Sequence, residues 1–245
     1  LSRAMAEAPR LSLPLDCKIG ESCFVQNLVD LDPGPAKQDP FCGSATYDGH
    51  KGTDIRIRDI AEMRIGVPVL AMADGKVTGI RNSAPEKLVE TKADRRAVAG
   101  KECGNGLAID HGGGWVTQLC HLAHGSVRVK RGDRVKRGQP VGRIGLSGFT
   151  AFPHVHVSVR KDGAVIDPMT GQKAGSACKP SGKGLWSESA RQQLQSATAA
   201  LLQTGFAGGP VTSSEVMKNK VRRPAENGPL VFFAVFINLQ PGDRI

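Results

Sequence analysis

The chain has 245 residues, a hydrophobic fraction of 40% and a net charge of +10. This length can support one large domain, or one medium domain with an appendage, around a real core. The longest apolar run, residues 230–239, is too short to cross a bilayer, so no transmembrane segment is predicted. The charge favours an anionic partner, but the basic runs at 128–137 and 218–223 lack interleaved aromatic residues. We interpret both runs as solvated faces and predict no nucleic-acid partner.

Composition and turn signals predict a mainly β fold with an antiparallel sheet as its core. The 30 glycines and 15 prolines are scattered, as in a protein of short strands and turns. Residues 1–45 are loop-rich and are predicted to wrap this core. Strand-like runs follow from residue 54, and Asp74-Gly75 is predicted as the turn of a first hairpin. Residues 81–104 are polar and are predicted to form a long insertion in a hairpin loop.

A second hairpin is predicted about the glycine-rich turn that starts at His111, with strands at 106–110 and 115–122. This hairpin brings Cys103 near Cys120, the preferred disulfide. Short strands are also predicted at 126–129, 133–135, 140–144 and 154–159. Beyond a linker at 179–184, we expect a helix at 187–195 capped by Ser187, and strands at 197–206 and 230–239. We interpret this last piece, 185–245, as a small, truncated β-rich domain.

The cysteines and the N-terminus indicate an exported protein. The six cysteines are even in number and include no C-x-x-C pair, which favours disulfides in an oxidising compartment. Ala4-Met5-Ala6 has the small-x-small form of a signal-peptidase site, as though residues 1–6 were the stub of an export signal. We expect a Gram-negative periplasmic location first, and an extracellular or wall-associated location otherwise.

Two separated motifs carry residue types that bind metals: His50-Lys-Gly-Thr-Asp54 and His154-Val-His156. The second, His154-Val-His156, places both imidazoles on one strand face about 6.6 Å apart, so both point into one cleft. His50 and Asp54 would lie about 13 Å apart on an ideal strand, too far for one ion. The chain must therefore bend near His50, and the glycines at 49 and 52 could supply that bend.

Together the two motifs offer more than the three protein ligands that a catalytic zinc needs. Two imidazoles and one carboxylate suit Zn²⁺, and a free position for water predicts a metallohydrolase. Single histidines are more often structural than functional. His111, in a turn beside Asp110, is therefore balanced between structural and cleft-lining roles, and His124 is expected to be a solvated loop residue.

Several motifs, in the same order, resemble the lysostaphin-type (LytM-like) zinc endopeptidases that cleave peptidoglycan. They are H-x-x-x-D from His50, a histidine at the end of a strand in Cys-His121-Leu, and S-G-x-T-x-x-P-H-x-H ending at His156. The pieces ADGKV, GLAIDHG and VKRGQPVG match as well. The resemblance covers roughly residues 45–170 and implies a peptidase domain over 46–175 with the duplicated-hybrid-motif type of fold.

The resemblance implies a role for each site residue. Zinc would be bound by His50, Asp54 and His156, while His121 and His154 correspond to the two catalytic histidines of the family. The expected function is hydrolysis of peptide cross-links or stem peptides in peptidoglycan. Two alternatives stay open: a non-hydrolytic relative that activates a cell-wall amidase, and a zinc protease that acts on a protein.

The sequence also departs from the family pattern. Some members have a tyrosine several residues before the first ligand, whereas Tyr47 lies only three residues before His50. The identity of the substrate is therefore left open.

Overall fold

The computed structural model describes residues 7–178, 182, 184–194, 199–239 and 244. The predicted export stub at 1–6 and most of the linker at 179–184 lie outside these residues. None of the described helices is long and apolar enough to cross a membrane. In chain order the elements are β1 Phe24–Asn27, β2 Thr53–Arg56, α1 Ile60–Ile65, β3 Pro68–Leu70, β4 Gly75–Arg81, α2 Lys92–Ala97, β5 Asn105–Gly112, β6 Trp115–Leu122, β7 Arg134–Val135, β8 Pro140–Arg143, β9 His154–Lys161, β10 Ala164–Ile166, α3 Glu188–Leu194, β11 Ala200–Ala207, α4 Ser213–Met217 and β12 Val231–Ile237.

The largest sheet in the part of the chain that the structure describes is antiparallel and has eight strands. Its strands lie in the order β1-β2-β9-β6-β5-β4-β7, and β10 pairs with β9. Along β9, Val155, Val157 and Val159 are buried in the main core, whereas the alternate residues include His154 and His156. Period-two alternation therefore separates the core face of β9 from its cleft face. The prediction of a mainly β, antiparallel fold is confirmed.

The second predicted hairpin is confirmed, and the disulfide with it. β5 pairs antiparallel with β6, and Cys103 is bonded to Cys120. Two further disulfides join Cys17 to Cys23 and Cys42 to Cys178. The bond from Cys42 spans 136 residues and ties the loop before β2 to the segment after β10.

The predicted hairpin at Asp74-Gly75 is wrong. The strand before this turn, β3, pairs with β8 in a separate two-stranded sheet, whereas the strand after it, β4, pairs with β5 and β7. The Asp74 carboxylate accepts hydrogen bonds from the Lys136 ammonium and the Arg137 backbone N–H, so it binds the β7–β8 connection. The turn signal is local, but the partner of each strand is chosen by tertiary contacts.

Two smaller expectations also need revision. Residues 126–129 form no strand; Arg128 donates one backbone hydrogen bond to Val141 in β8. The 81–104 segment does connect β4 to β5, as predicted, but it also contains α2. Thr91 and Asp94 cap that helix reciprocally at its N-terminus.

The chain on both sides of the predicted peptidase domain packs against the central sheet. Leu11 and Leu13 belong to the main core, as does Trp186 near the start of α3. The helix predicted at 187–195 is present as α3, and the Ser187 hydroxyl accepts a hydrogen bond from the Ala190 N–H. The strands predicted at 197–206 and 230–239 correspond to the pair β11–β12, although residues 195–198 and 240 lie outside the described residues.

The β11–β12 pair is not isolated from the sheet. Leu202 of β11 and Ile237 of β12 form a buried cluster with Phe24 of β1. The division of the chain into three domains stays a prediction.

Candidate metal centre

Three adjacent strands bring the two sequence motifs together. In the antiparallel register of β2 and β9, Asp54 lies opposite His156 and Arg56 lies opposite His154. On the other side of β9, Cys120 of β6 lies opposite His156. The next residue, His121, therefore lies near the end of β6, beside the histidines of β9. Residues about 100 positions apart in the chain therefore meet because antiparallel pairing fixes the register.

His50 reaches Asp54 because it precedes β2 instead of lying on it. The distance from His50 Nε2 to Asp54 Oδ2 is 3.2 Å, far below the spacing on an ideal strand. Gly49 has a φ of 73°, and a Cβ on Gly52 would lie 2.4 Å from the Val157 carbonyl oxygen. Both glycines are thus required for the bend, as their positions suggested.

His121 is held in a backbone conformation that few non-glycine residues adopt. Its φ is 63°, its N–H donates to the Cys103 carbonyl, and its Nδ1 lies 2.9 Å from the Ser147 carbonyl oxygen. This arrangement places its ring 4.6 Å from that of His154, measured between centroids. The family resemblance is what predicts a role for His121. In the structure this residue lies beside His154 and His156 and lines the same pockets as His50 and Asp54.

Carbonyl contacts determine which nitrogen of three imidazoles faces the cleft. Nδ1 of His50 lies 2.6 Å from the Leu28 carbonyl oxygen, and Nδ1 of His154 lies 2.9 Å from the Phe152 carbonyl oxygen. As in His121, Nδ1 must carry the proton to donate to a carbonyl, which leaves Nε2 as the unprotonated atom in a neutral ring. The Nε2 lone pairs of these rings are therefore available to a ligand or a proton.

Burial and mutual contacts shift the pKa values of the group in opposite directions. Burial opposes ionisation of Asp54, but His154 and His50 outweigh it and hold the pKa of this carboxyl well below its usual range. Burial, reinforced by the charges of His154 and His156, lowers the pKa of His121 well below its usual value. Burial also lowers the pKa of His156. For His50, burial favours the neutral ring, but the Asp54 carboxylate outweighs burial and raises the pKa of this imidazole. The lowered pKa values thus keep His121 and His156 neutral at pH 7, whereas Asp54 favours the charged form of His50.

The chemistry of the donor set fits a zinc ion. One candidate ligand atom from each of His50, Asp54 and His156 lies within 4.8 Å of the other two. His156 Nδ1 lies 2.8 Å from Asp54 Oδ1 and 3.2 Å from His50 Nε2. Two imidazoles and one carboxylate form a ligand set of catalytic zinc sites, with a position left for water or substrate. Within the described residues, this is the one such cluster.

The centre lies between two open pockets. One pocket, of about 400 Å³, is lined by His50, His121 and His156, and the other, of about 200 Å³, by Asp54, His121 and His154. Tyr47 lines both pockets, and its ring centroid lies 4.4 Å from that of His50. A chain molecule could therefore cross the centre from one pocket to the other.

The remaining two histidines, His111 and His124, lie outside the metal centre. His111 is in contact with the Asp74 carbonyl and the Thr117 hydroxyl, at 2.7 and 2.8 Å, so its role is structural. His124 is exposed and contacts the Ala84 carbonyl.

Sequence reasoning missed two residues that contact the group. Asn27 of β1 donates from Nδ2 to Asp54 Oδ2 at 2.9 Å, and no local motif distinguishes it. The Thr150 hydroxyl lies 3.0 Å from His154 Nδ1. Thr150 is the threonine of the S-G-x-T motif, so that motif contained the signal for it.

Comparison with known proteins gives one family. Residues 48–168 match the profile described as Peptidase family M23. The chain is 31% identical over 120 residues to peptidoglycan DD-endopeptidase ShyA of Vibrio cholerae, a match that covers 49% of this chain and 22% of that protein. It is 32% identical over 121 residues to cell division protein DipM of Caulobacter vibrioides, covering 49% of this chain and 17% of that protein.

These matches span less than a quarter of the length of the two relatives. Among solved structures, a zinc-containing peptidase from Vibrio cholerae is similar, with 24% identity and a TM-score of 0.44. That match covers 71% of this chain and 41% of the other.

Proposed function

Because residues 48–168 make this chain a member of peptidase family M23, we propose that it is a zinc-dependent endopeptidase that hydrolyses peptide bonds in peptidoglycan. The observation that carries the proposal is the convergence of a three-residue donor set with two further imidazoles at one point of the cleft. The relatives named as peptidoglycan DD-endopeptidases support the substrate class. An exported location, with the periplasm preferred, is part of the same proposal.

In the proposed reaction, His50, Asp54 and His156 would hold zinc. When bound, zinc would polarise the scissile carbonyl and lower the pKa of a water molecule. His121 is neutral at pH 7 because its pKa is lowered, and its Nε2 accepts the proton of the attacking water. His154 Nε2 lies 3.5 Å from Asp54 Oδ1, and once this nitrogen carries a proton it donates a hydrogen bond to the developing oxyanion. The proton that His121 has accepted passes to the leaving amine.

Cleavage of purified muropeptides by the full chain tests the proposal. We expect products in the presence of zinc, none after chelation, and recovery when zinc is restored. His121→Ala and His154→Ala should each abolish cleavage. His111→Ala is the matched control, because this histidine lies outside the centre and should leave cleavage unchanged. Mass spectrometry of the products identifies the bond that is cut.

Two alternative functions are separated by the same experiment. A regulator of a cell-wall amidase would leave muropeptides intact and stimulate an added amidase instead. A protease with a protein substrate would cleave unstructured proteins but not muropeptides. The complete set of five centre residues favours hydrolysis over regulation, because a regulator has no need for a donor set with catalytic histidines.

A further inference from the structure

A third cavity, of about 520 Å³, lies next to the metal centre and is lined partly by residues outside the family match. We call it the side chamber. One wall comes from β2 and the loop before β9, including Arg56 and Phe152. Further lining comes from β11, α4 and β12, including Gln203 and Val235. Its volume lies within the range of small-molecule and peptide-binding pockets.

The side chamber adjoins the pocket that contains Asp54 and His154. Val89, Ala151 and Phe152 line both cavities. The Phe152 ring centroid lies 4.5 Å from that of His154, and the Arg56 guanidinium carbon lies 4.7 Å from the centroid of the same Phe152 ring. Arg56 is also directly opposite His154 in the β2–β9 register. A peptide bound at the centre therefore reaches Arg56 within about one or two residues of extended chain.

Arg56 is a buried cation without an anionic partner in the described part of the chain. The residue is 7% exposed, and its guanidinium donates hydrogen bonds to neutral acceptors: the carbonyls of Ile57 and Arg58 and the side-chain oxygen of Gln26. A guanidinium has about five N–H donors, so its capacity is not exhausted. Burying a charge without a counter-ion is costly, and such a group is usually paired.

The charged groups around Arg56 already have partners of their own. Glu90, on the chamber wall, is paired with the Lys218 ammonium at 2.6 Å and accepts from the Ser214 hydroxyl. Arg58 also lines the chamber, but its guanidinium lies 3.8 Å from the Glu62 carboxylate and contacts the Glu21 carbonyl. Among the charged residues described on the chamber wall, Arg56 is thus the one without an oppositely charged partner.

We propose that the side chamber is a substrate subsite in which Arg56 binds a carboxylate of the peptide, one or two residues from the scissile bond. Arginine suits this role because its planar donors match the two oxygens of a carboxylate. Gln26 and the Phe152 ring hold the guanidinium in place, and β11 and β12 contribute apolar side chains, including Leu202 and Val235, to the lining of the chamber. Arg56 therefore selects peptides with a free acid at this position over peptides with an amide.

This inference rests on the proposed function for the choice of peptide, so binding is measured separately from cleavage. The probes are cross-linked muropeptides in which each free carboxylate is, one at a time, either left as the acid or converted to the amide. Binding to the metal-stripped full chain is measured by titration calorimetry. For one carboxylate position, we expect the wild type to bind the acid at least tenfold more tightly than the amide.

The Arg56→Met variant should bind both forms equally, and Arg56→Lys should keep part of the preference. Arg191→Gln removes a cation on α3 that pairs with Glu188 and does not line the chamber, so this variant should keep the full preference. If Arg56→Met does not fold, Gln203→Trp decides the matter, because a large ring on β11 fills the chamber and should abolish the preference.

Three results would overturn the inference: no acid preference in the wild type, a preference that persists in Arg56→Met or Gln203→Trp, or no binding of either peptide. Failure of the proposed function is distinguishable from these results. If the metal-stripped chain prefers the acid but the zinc-loaded chain cleaves nothing, the subsite stands and the proposed hydrolysis fails. If the zinc-loaded chain cleaves muropeptides but the protein shows no acid preference, the proposed hydrolysis stands and the subsite fails.

Discussion

Removing the Asn27 amide should weaken zinc binding without removing a ligand. Asn27 donates to Asp54 Oδ2 at 2.9 Å, so it fixes the orientation of a carboxylate that is 3% exposed. Loss of such a supporting hydrogen bond typically lowers metal affinity by about 10- to 100-fold. For Asn27→Ala this corresponds to about 1.4 to 2.8 kcal/mol of binding free energy.

The same change should destabilise the metal-free protein. A hydrogen bond to a charged group contributes about 1.5 to 3 kcal/mol, and the Asp54 carboxylate stays buried when its donor is removed. For a chain of this size, such a loss lowers the melting temperature by about 3 to 12 °C. Zinc affinity is measured by competition with a chromophoric chelator, and stability by calorimetry in the presence of a chelator.

Asn82→Ala is the matched control for this prediction. Asn82 is also half-buried, but it forms hydrogen bonds with the backbone of Val127 and lines neither pocket of the metal centre. It should lose stability and keep the zinc affinity of the wild type. An Asn27→Ala variant whose zinc affinity stays within twofold of the wild type would refute the positioning role of Asn27.

Three more perturbations have defined outcomes. Burial raises the pKa of Asp167 to about 6. At pH 7 the ionised Asp167 therefore lowers the free energy of unfolding by up to about 3 kcal/mol. This cost disappears as the pH falls from 6 towards 4, because the folded state then binds the proton. The free energy of unfolding of the wild type should therefore rise relative to Asp167→Asn over that pH range, as measured by denaturant titration. Replacing Cys103 and Cys120 with serine should cost about 3 kcal/mol of stability and lower kcat, because the Cys103 carbonyl holds the His121 backbone. Gly52→Ala should cost about 1 to 3 kcal/mol and lower zinc affinity, since its Cβ would meet the β9 backbone and the His156 ring, at 2.4 and 2.6 Å.

Each of these three predictions has an internal comparison. A pH-independent difference between wild type and Asp167→Asn would contradict the assigned cause. Removal of the Cys17–Cys23 bond, which closes a loop of only 6 residues, should cost about 2 kcal/mol and leave kcat unchanged. Gly79→Ala is the control for the steric clash predicted at Gly52. A Cβ at position 79 would meet only Ala108, at 3.9 Å, so this substitution should be tolerated. Equal zinc affinities of the Gly52 and Gly79 variants would be evidence against that clash.

The sequence by itself determined the local features of this protein. Alternation along 154–159 identified β9 and its two faces, and the glycine-rich turn after His111 identified the β5–β6 hairpin with its disulfide. These features depend on residues near one another in the chain, where period and turn chemistry decide the outcome. The order of the motifs extended this reading to the family and to the candidate site residues.

Only the tertiary structure decided which distant segments meet. The partner of β3 is β8, not the strand that follows its turn, because each strand pairs where its side chains fill the core. Asn27 reaches Asp54 only because β1 lies beside β2, and no pattern in the sequence marks that contact. The side chamber exists because β11 and β12 pack on Phe24 and contribute lining residues to the same cavity as Arg56. Pairing across long stretches of chain is determined by the packing of the whole molecule, which no local pattern encodes.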